Sequence, residues 1–179
     1  METTSKYDAV SRILHWLVVS LVGAQFLLGW TMPDVHHDTQ PVGLIAWHLV
    51  TGTALLAVMA CRILWRATHR RPADDLAQTL AQPLRALSGL THYALYALLV
   101  AVPLLGWINA SSRAWHVTLF GAIPLPALSA AGSSFGHAMG DVHGVLAWAL
   151  FSLICLHVGA ALLHRFVLRD QVLQRMMLW

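Results

Sequence analysis

The sequence predicts an all-α integral membrane protein, a four-helix bundle with both termini in the cytoplasm. Three observations predict it. Charged residues are 11% of the 179 and hydrophobic residues 58%, with a mean hydropathy of +0.63, whereas an ordinary soluble domain is about 25% charged. Four apolar runs are each long enough to cross a hydrocarbon core roughly 30 Å thick. The basic residues also segregate: ten of the eleven Lys and Arg fall on one side of the spans these runs define. The length suits a single transmembrane domain over residues 1–179, without an internal repeat.

The first span covers about residues 7–30 and opens with Arg12-Ile-Leu-His15-Trp16. A cleaved signal peptide is the rival reading, but the apolar core is too long and no small-residue cleavage site follows it. Residues 31–41 contain two prolines and several Asp and His residues, and read as a loop. The second span, about residues 42–65, carries His48 near its start and Arg62 near its end, with Arg66 just beyond. Residues 70–75 form a charged turn, and residues 77–88 are expected to lie along the surface. The third span, about residues 87–108, has His92 and Tyr96 early and Pro103 late, where the missing N–H favours a kink that neighbouring helices repair.

Residues 109–136 form the longest connection, rich in Ser, Gly, Ala and Pro. Its apolar 117–128 segment is interrupted by Pro124 and Pro126, is too short to span, and is expected to pack at the bundle mouth. The fourth span, about residues 142–168, holds His143 and His157. Only Arg113 lies on the side opposite the other basic residues, in company with Asp34, Asp38 and Asp141, so the positive-inside rule places both termini in the cytoplasm. That asymmetry also accounts for the pI of about 9.3, and nucleic acid is not needed as a partner.

His143 and His157 are fourteen residues apart. On one helix this is about 21 Å of rise and about 40° of rotation, so both side chains leave the same face at opposite depths. Neutral imidazole is a good axial ligand for haem iron. The other spans supply partners at matched depths: His15 enters from the cytoplasmic side at the level of His157, and His48 descends from the outside at the level of His143. A lone membrane histidine is often no more than a polar residue bonded across a bundle, but four at two matched depths argue for two ligand pairs. His92 lies near the inner face, one turn before Tyr96, and suits a haem propionate, a quinone carbonyl or a structural bond better than ligation. His164 is expected at the inner interface, and His36, His37, His69, His116 and His137 in loops or at span edges.

A closed zinc or copper site needs ligands converging on one point, and these separate into two levels. Cys61 and Cys155 are single residues inside spans, expected to pack as small hydrophobes. No Cys-x-x-Cys-His occurs, which excludes covalent c-type attachment, so haem here is expected to be non-covalent b-type.

Over nearly its whole length the chain resembles the bacterial cytochrome b561 family of four-helix di-haem membrane cytochromes. The resemblance is carried by Arg12-Ile-Leu-His15-Trp16, by His48-x-x-x-Gly52 with Arg62 and Arg66, and by His92-x-x-x-Tyr96 with Pro103 and Gly106. His143, His157 and His164, and the tail Arg169-Asp170-x-x-Leu173-x-Arg175-Met176-Met177, complete it. It implies two b haems ligated from the first, second and fourth helices, which maps onto His15, His48, His143 and His157. It also implies a bacterial inner-membrane location, exchange of electrons with the quinone pool and, in some members, oxidation of superoxide at the outer face with reduction of ubiquinone.

Saturated bis-histidine iron favours outer-sphere electron transfer, and two haems at different depths form a path through the apolar barrier. Arg12, Arg62 and Arg66 lie at the depth of inner haem propionates and are candidate counter-ions. Arg113, with Ser111, Ser112 and His116 beside it, is the candidate for attracting an anion such as superoxide; pairing with an outer propionate or an Asp explains it equally well. Two other classes of function remain open. A passive haem-bearing anchor for a separate dehydrogenase or periplasmic redox protein fails if the purified chain alone carries quinone-linked electron transfer. A haem-free proton or metal transporter fails if dithionite-reduced membranes show a sharp b-type α band.

Overall fold

The first helix is started by a side chain rather than by hydropathy. Asp8 accepts hydrogen bonds from the Ser11 backbone N–H at 2.9 Å and from the Ser11 hydroxyl at 2.6 Å, satisfying donors that a helix N-terminus leaves free. In the computed structural model, which describes residues 7–36, 38–69 and 82–178, four long helices follow. They are α1 (Ala9–Thr31), α2 (Leu44–Thr68), α3 (Gln82–Ser112) and α4 (Ser134–Leu163). The shortest has 23 residues and the longest 31, about 35–46 Å of rise, and all four are long and apolar enough to cross a membrane. Serine and threonine hydroxyls inside the spans donate to the carbonyl four residues back, as at Ser20, Thr91 and Ser152. Each thereby avoids an unsatisfied polar group in hydrocarbon.

Two boundaries differ from the sequence reading. The third helix is already formed at Gln82, so residues 82–88 are continuous with it; residues 77–81 and the charged turn at 70–75 fall outside the described residues. The fourth helix begins at Ser134, eight residues before the expected start at 142. The Ser133 hydroxyl caps it by accepting the Gly136 N–H at 3.2 Å. A Cβ at Gly136 would lie 2.5 Å from Ser112 Cβ, and one at Gly140 would lie 2.7 Å from Asn109 Nδ2. Two glycines four residues apart thus let α4 approach α3 closely at this end, the small-residue packing that membrane helices use in place of a hydrophobic drive.

Packing runs α1 along α2, α2 along α3 and α3 along α4. The core gathers Val18 and Val22 of α1, Leu55 and Met59 of α2, Leu95, Leu99 and Val102 of α3, and Leu150 of α4. Met59 is completely enclosed. Leu150 lies midway between His143 and His157 in sequence, so this core fills the space between the two histidine levels. Outward-facing apolar residues such as Leu156 and Phe166 remain exposed, because lipid is their partner. The same is true of Cys61 and Cys155, which stand on the outer surface rather than packing inside.

The connection after α3 folds into a small plug. Strands β1 (Thr118–Leu119) and β2 (Ile123–Pro124) pair antiparallel, with Thr118 opposite Pro124. The turn between them takes Phe120 and Gly121 to positive φ (54° and 74°), the geometry that tight hairpins need. Val117 is buried, and the Thr53 hydroxyl of α2 donates to the Thr118 carbonyl at 2.9 Å. The Ser129 hydroxyl and the Leu128 N–H bond back to the Ile108 carbonyl and the Ser111 hydroxyl at the end of α3. The 117–128 segment therefore closes one mouth of the bundle, as its composition suggests.

At the other mouth the tail closes back on α1. Beyond α4 comes a π-helical turn (His164–Leu168) that ends at Arg169, whose φ is 54°. His164 Nδ1 lies 2.5 Å from Asp170 Oδ2. Tail carbonyls that no helix satisfies are taken by α1 side chains: Arg12 Nη1 donates to Met177 O and Trp16 Nε1 to Met176 O, both at 2.8 Å. The first and last described residues thus lie at one end of the bundle, hereafter the termini end, and the plug at the other, the hairpin end.

Candidate functional site

The helices bring the polar membrane residues to two levels. His143 and His157 share the unbroken helix α4 and are about 21 Å apart along it.

At the hairpin end His48 of α2 and His143 of α4 face each other, with ring centres 6.1 Å apart and planes at 80°. His143 Nδ1 lies 2.8 Å from the Val102 carbonyl. A carbonyl only accepts, so Nδ1 carries the proton and Nε2 keeps its lone pair. A bond of this kind orients those histidines that ligate a metal. His48 Nδ1 is buried without a hydrogen-bond partner.

Around the two rings lies a cavity of about 280 Å³. Its mostly apolar wall includes one glycine from each helix, Gly29, Gly52, Gly106 and Gly144. A Cβ at Gly106 would come within 3.1 Å of the His143 ring, and one at Gly29 within 3.7 Å of the His48 ring. Where α1 and α4 face each other, Phe26, Trp30, Trp148 and Phe151 fill the gap with ring contacts of 5.3–6.2 Å.

At the termini end three histidines gather rather than two. The rings of His92 and His157 meet edge to face at 5.2 Å, and His15 lies within electrostatic reach of both. His92 Nδ1 is 2.7 Å from the Ser88 carbonyl, which by the same logic leaves its Nε2 open. His15 Nδ1 is 3.0 Å from Arg62 Nη1; guanidinium only donates, so this nitrogen accepts. Arg62 Nε also donates to the Tyr96 hydroxyl at 2.9 Å, and the Arg62 and Arg66 guanidiniums stand over the Tyr96 ring at 5.6 and 4.9 Å. Among the described residues no three His, Cys, Asp or Glu side chains converge as a closed metal site requires.

Two expected site residues are engaged elsewhere. Arg12, a candidate counter-ion at the inner level, holds the tail carbonyls. Arg113 donates from Nη1 to the His36 carbonyl at 3.0 Å and stands 5.6 Å over the Trp115 ring. Ser111 and Ser112 beside it are buried, their hydroxyls donating to the Trp107 and Asn109 carbonyls. Neither is free to flank an anion, because the end of α3 needs both to close its last turn. Sequence reasoning passed over Trp107, which lines the cavity, although its place next to Gly106 was the available signal.

At the hairpin end two imidazoles beside an apolar cavity offer the donor chemistry that a haem would need. Their ring centres are 6.1 Å apart, which leaves room for a metal ion between them. At the termini end His15 Nδ1 is already bonded to Arg62.

A family model described as prokaryotic cytochrome b561 matches residues 6–179. The chain is 29% identical over 176 residues to "Cytochrome b561 homolog 2" of Escherichia coli (strain K12), covering 98% of this chain and 93% of that protein. It is 30% identical over 176 residues to "Probable superoxide oxidase CybB" of Yersinia pestis, with 96% of each covered. A third relative, "Cytochrome b562" of Cereibacter sphaeroides, is 29% identical over 182 residues, with 96% of this chain and 94% of that protein covered.

Proposed function

This chain belongs to the prokaryotic cytochrome b561 family, and from that premise we propose that it is a di-haem b electron-transfer protein with one bis-histidine haem at each level. Members of the family are multi-pass bacterial membrane proteins that bind haem b and transfer electrons. The finer reading is that His48 and His143 hold the haem at the hairpin end, His15 and His157 the haem at the termini end. The observation that carries it is the His48–His143 pair, 6.1 Å apart beside a mostly apolar cavity.

Haem b would supply one-electron transfer, and His48, His143, His15 and His157 are the residues that would hold it. The protein's own residues do the rest. Val102 fixes the tautomer and orientation of His143. The core around Met59 excludes water between the levels, and four glycines make room that side chains would fill. Arg62 and Arg66, stacked on Tyr96, place two cations where propionates at the termini end would otherwise be buried unpaired.

By the positive-inside rule the termini end faces the cytoplasm, so the hairpin end faces the periplasm. We take the electron path to run from a periplasmic donor to the quinone pool. Superoxide is the favoured donor, since one relative bears the name superoxide oxidase and Arg113 is the one Lys or Arg on that side. Ubiquinone is the favoured acceptor.

The test is a reduced-minus-oxidised spectrum of the purified chain, then addition of superoxide and a quinone. A sharp b-type band with two haems per chain, reduced by superoxide and reoxidised by quinone without an added subunit, is expected. A chain without haem ends the reading. Haem that responds to neither reagent leaves a passive anchor. Stopped-flow reduction of Arg113→Gln then isolates steering: slowing with superoxide alone, and more at low salt, supports it.

A further inference from the structure

Trp107 lines the cavity that holds His48 and His143, and its indole Nε1 is buried without a hydrogen-bond partner. A buried N–H left unpaired costs free energy, so one that persists points to a missing acceptor. Several neighbouring polar groups are already committed, whereas His48 Nδ1 and Asn109 Oδ1 are buried without partners. Gln25 gives its amide group to the His48 carbonyl and the Thr51 hydroxyl. The Thr53 hydroxyl is used on Val50 and Thr118, and the His143 Nδ1 proton on Val102.

A group that enters the cavity can supply that acceptor. A haem bound between the two histidines has its ring nitrogens on the iron, and its remaining acceptors are the carboxylates of two propionates. Trp107 lies five residues beyond Val102, the residue that anchors His143, and so about 7.5 Å farther toward the hairpin end. That is the flank from which a propionate can reach water. We propose that Trp107 donates its indole N–H to a propionate carboxylate of the haem at the hairpin end, and so is a cofactor-binding residue. The inference rests on the reading of His48 and His143 as that haem's ligands.

The experiment uses the full-length, haem-loaded chain. Trp107→Phe keeps the ring and removes the donor, and Trp47→Phe, at a tryptophan 62% exposed on the outer surface, serves as control. Haem loss to excess apomyoglobin is followed in both, with the hairpin-end phase identified as the one missing from His143→Ala. Loss of a charge-assisted bond predicts roughly tenfold faster release of that haem in Trp107→Phe, with the other phase and the control unchanged. The second measurement is the indole N–H marker band in ultraviolet resonance Raman spectra of the unvaried chain. It is expected to move toward the hydrogen-bonded position on haem loading, by a component absent from Trp107→Phe. Unchanged release together with no Trp107-dependent shift overturns the assignment. If Trp107→Phe does not fold, the Raman comparison of loaded and stripped unvaried chain decides alone, and no shift there also overturns it. A chain that shows no b-type spectrum defeats the functional reading itself; two haems with Trp107 silent defeat only this inference.

Discussion

The two ends of the bundle treat their polar residues in opposite ways. At the hairpin end the buried side-chain atoms without partners include His48 Nδ1, Trp107 Nε1, Asn109 Oδ1 and Arg113 Nε; at the termini end Arg12 Nε alone is such an atom among the described residues. The termini end satisfies itself: arginine bonds histidine and tyrosine, and histidine packs on histidine. The hairpin end is held open by glycine and by one fixed tautomer. A site short of internal partners is organised for a ligand in advance, whereas a self-satisfied site must exchange bonds to accept one. Binding at the hairpin end is therefore expected to be the more rigid event.

The largest test removes ligands. His48→Ala or His143→Ala is expected to lower pyridine haemochrome stoichiometry from two haems per chain to one, and to leave the termini end loaded. A chain with one haem before mutation would dissolve the comparison. Next comes the choice among three histidines. His157→Ala is expected to abolish the termini-end haem, while His92→Ala keeps both haems with a perturbed spectrum; loss of haem from His92→Ala would make His92 the ligand in place of His15.

A smaller change tests the openness of the cavity. Gly106→Ala brings a Cβ within 3.1 Å of the His143 ring, whereas Gly89→Ala meets nothing within 4 Å. The first is expected to weaken haem retention several-fold at the hairpin end alone, the second to be silent, as apomyoglobin competition can show. At the termini end Arg62→Leu removes a cation near the haem. One wave of the redox titration is expected to move to lower potential by about 60 mV, a tenfold effect for a one-electron couple, with haem content unchanged. No movement would leave Arg62 marking topology only.

The smallest effect belongs to the helix cap outside the membrane. Slight burial pushes the Asp8 carboxyl up, but hydrogen bonds from Ser11 and Trp65 outweigh it and hold its pKa below the usual 3.8. The stabilisation is thus present above that value and is lost as pH falls through the lower folded-state value. Asp8→Ala is expected to cost about 1 kcal/mol of thermal stability at neutral pH. It should cost nothing once the pH is below the folded-state pKa, which melting curves across that range would check.

Sequence alone determined that this is a helical membrane protein with four spans and histidines at two depths. Hydropathy and the helical repeat are local properties: eighteen or more apolar residues have one sensible solvent, and fourteen residues on a helix have one geometry. The family resemblance rested on the same local patterns. Tertiary structure decided the rest. The early start of α4 depends on Gly136 and Gly140 meeting Ser112 and Asn109 of another helix, and their spacing of four was the one local clue. Which nitrogen of His143 carries its proton depends on the Val102 carbonyl, forty-one residues away. Arg12 was legible as an inner-face cation but not as the clasp of the tail, Arg113 as an outer cation but not as a partner of His36. Such assignments follow from which groups happen to lie within hydrogen-bond reach once the helices have packed, and bonds that short are set by side-chain direction, not by position along a span.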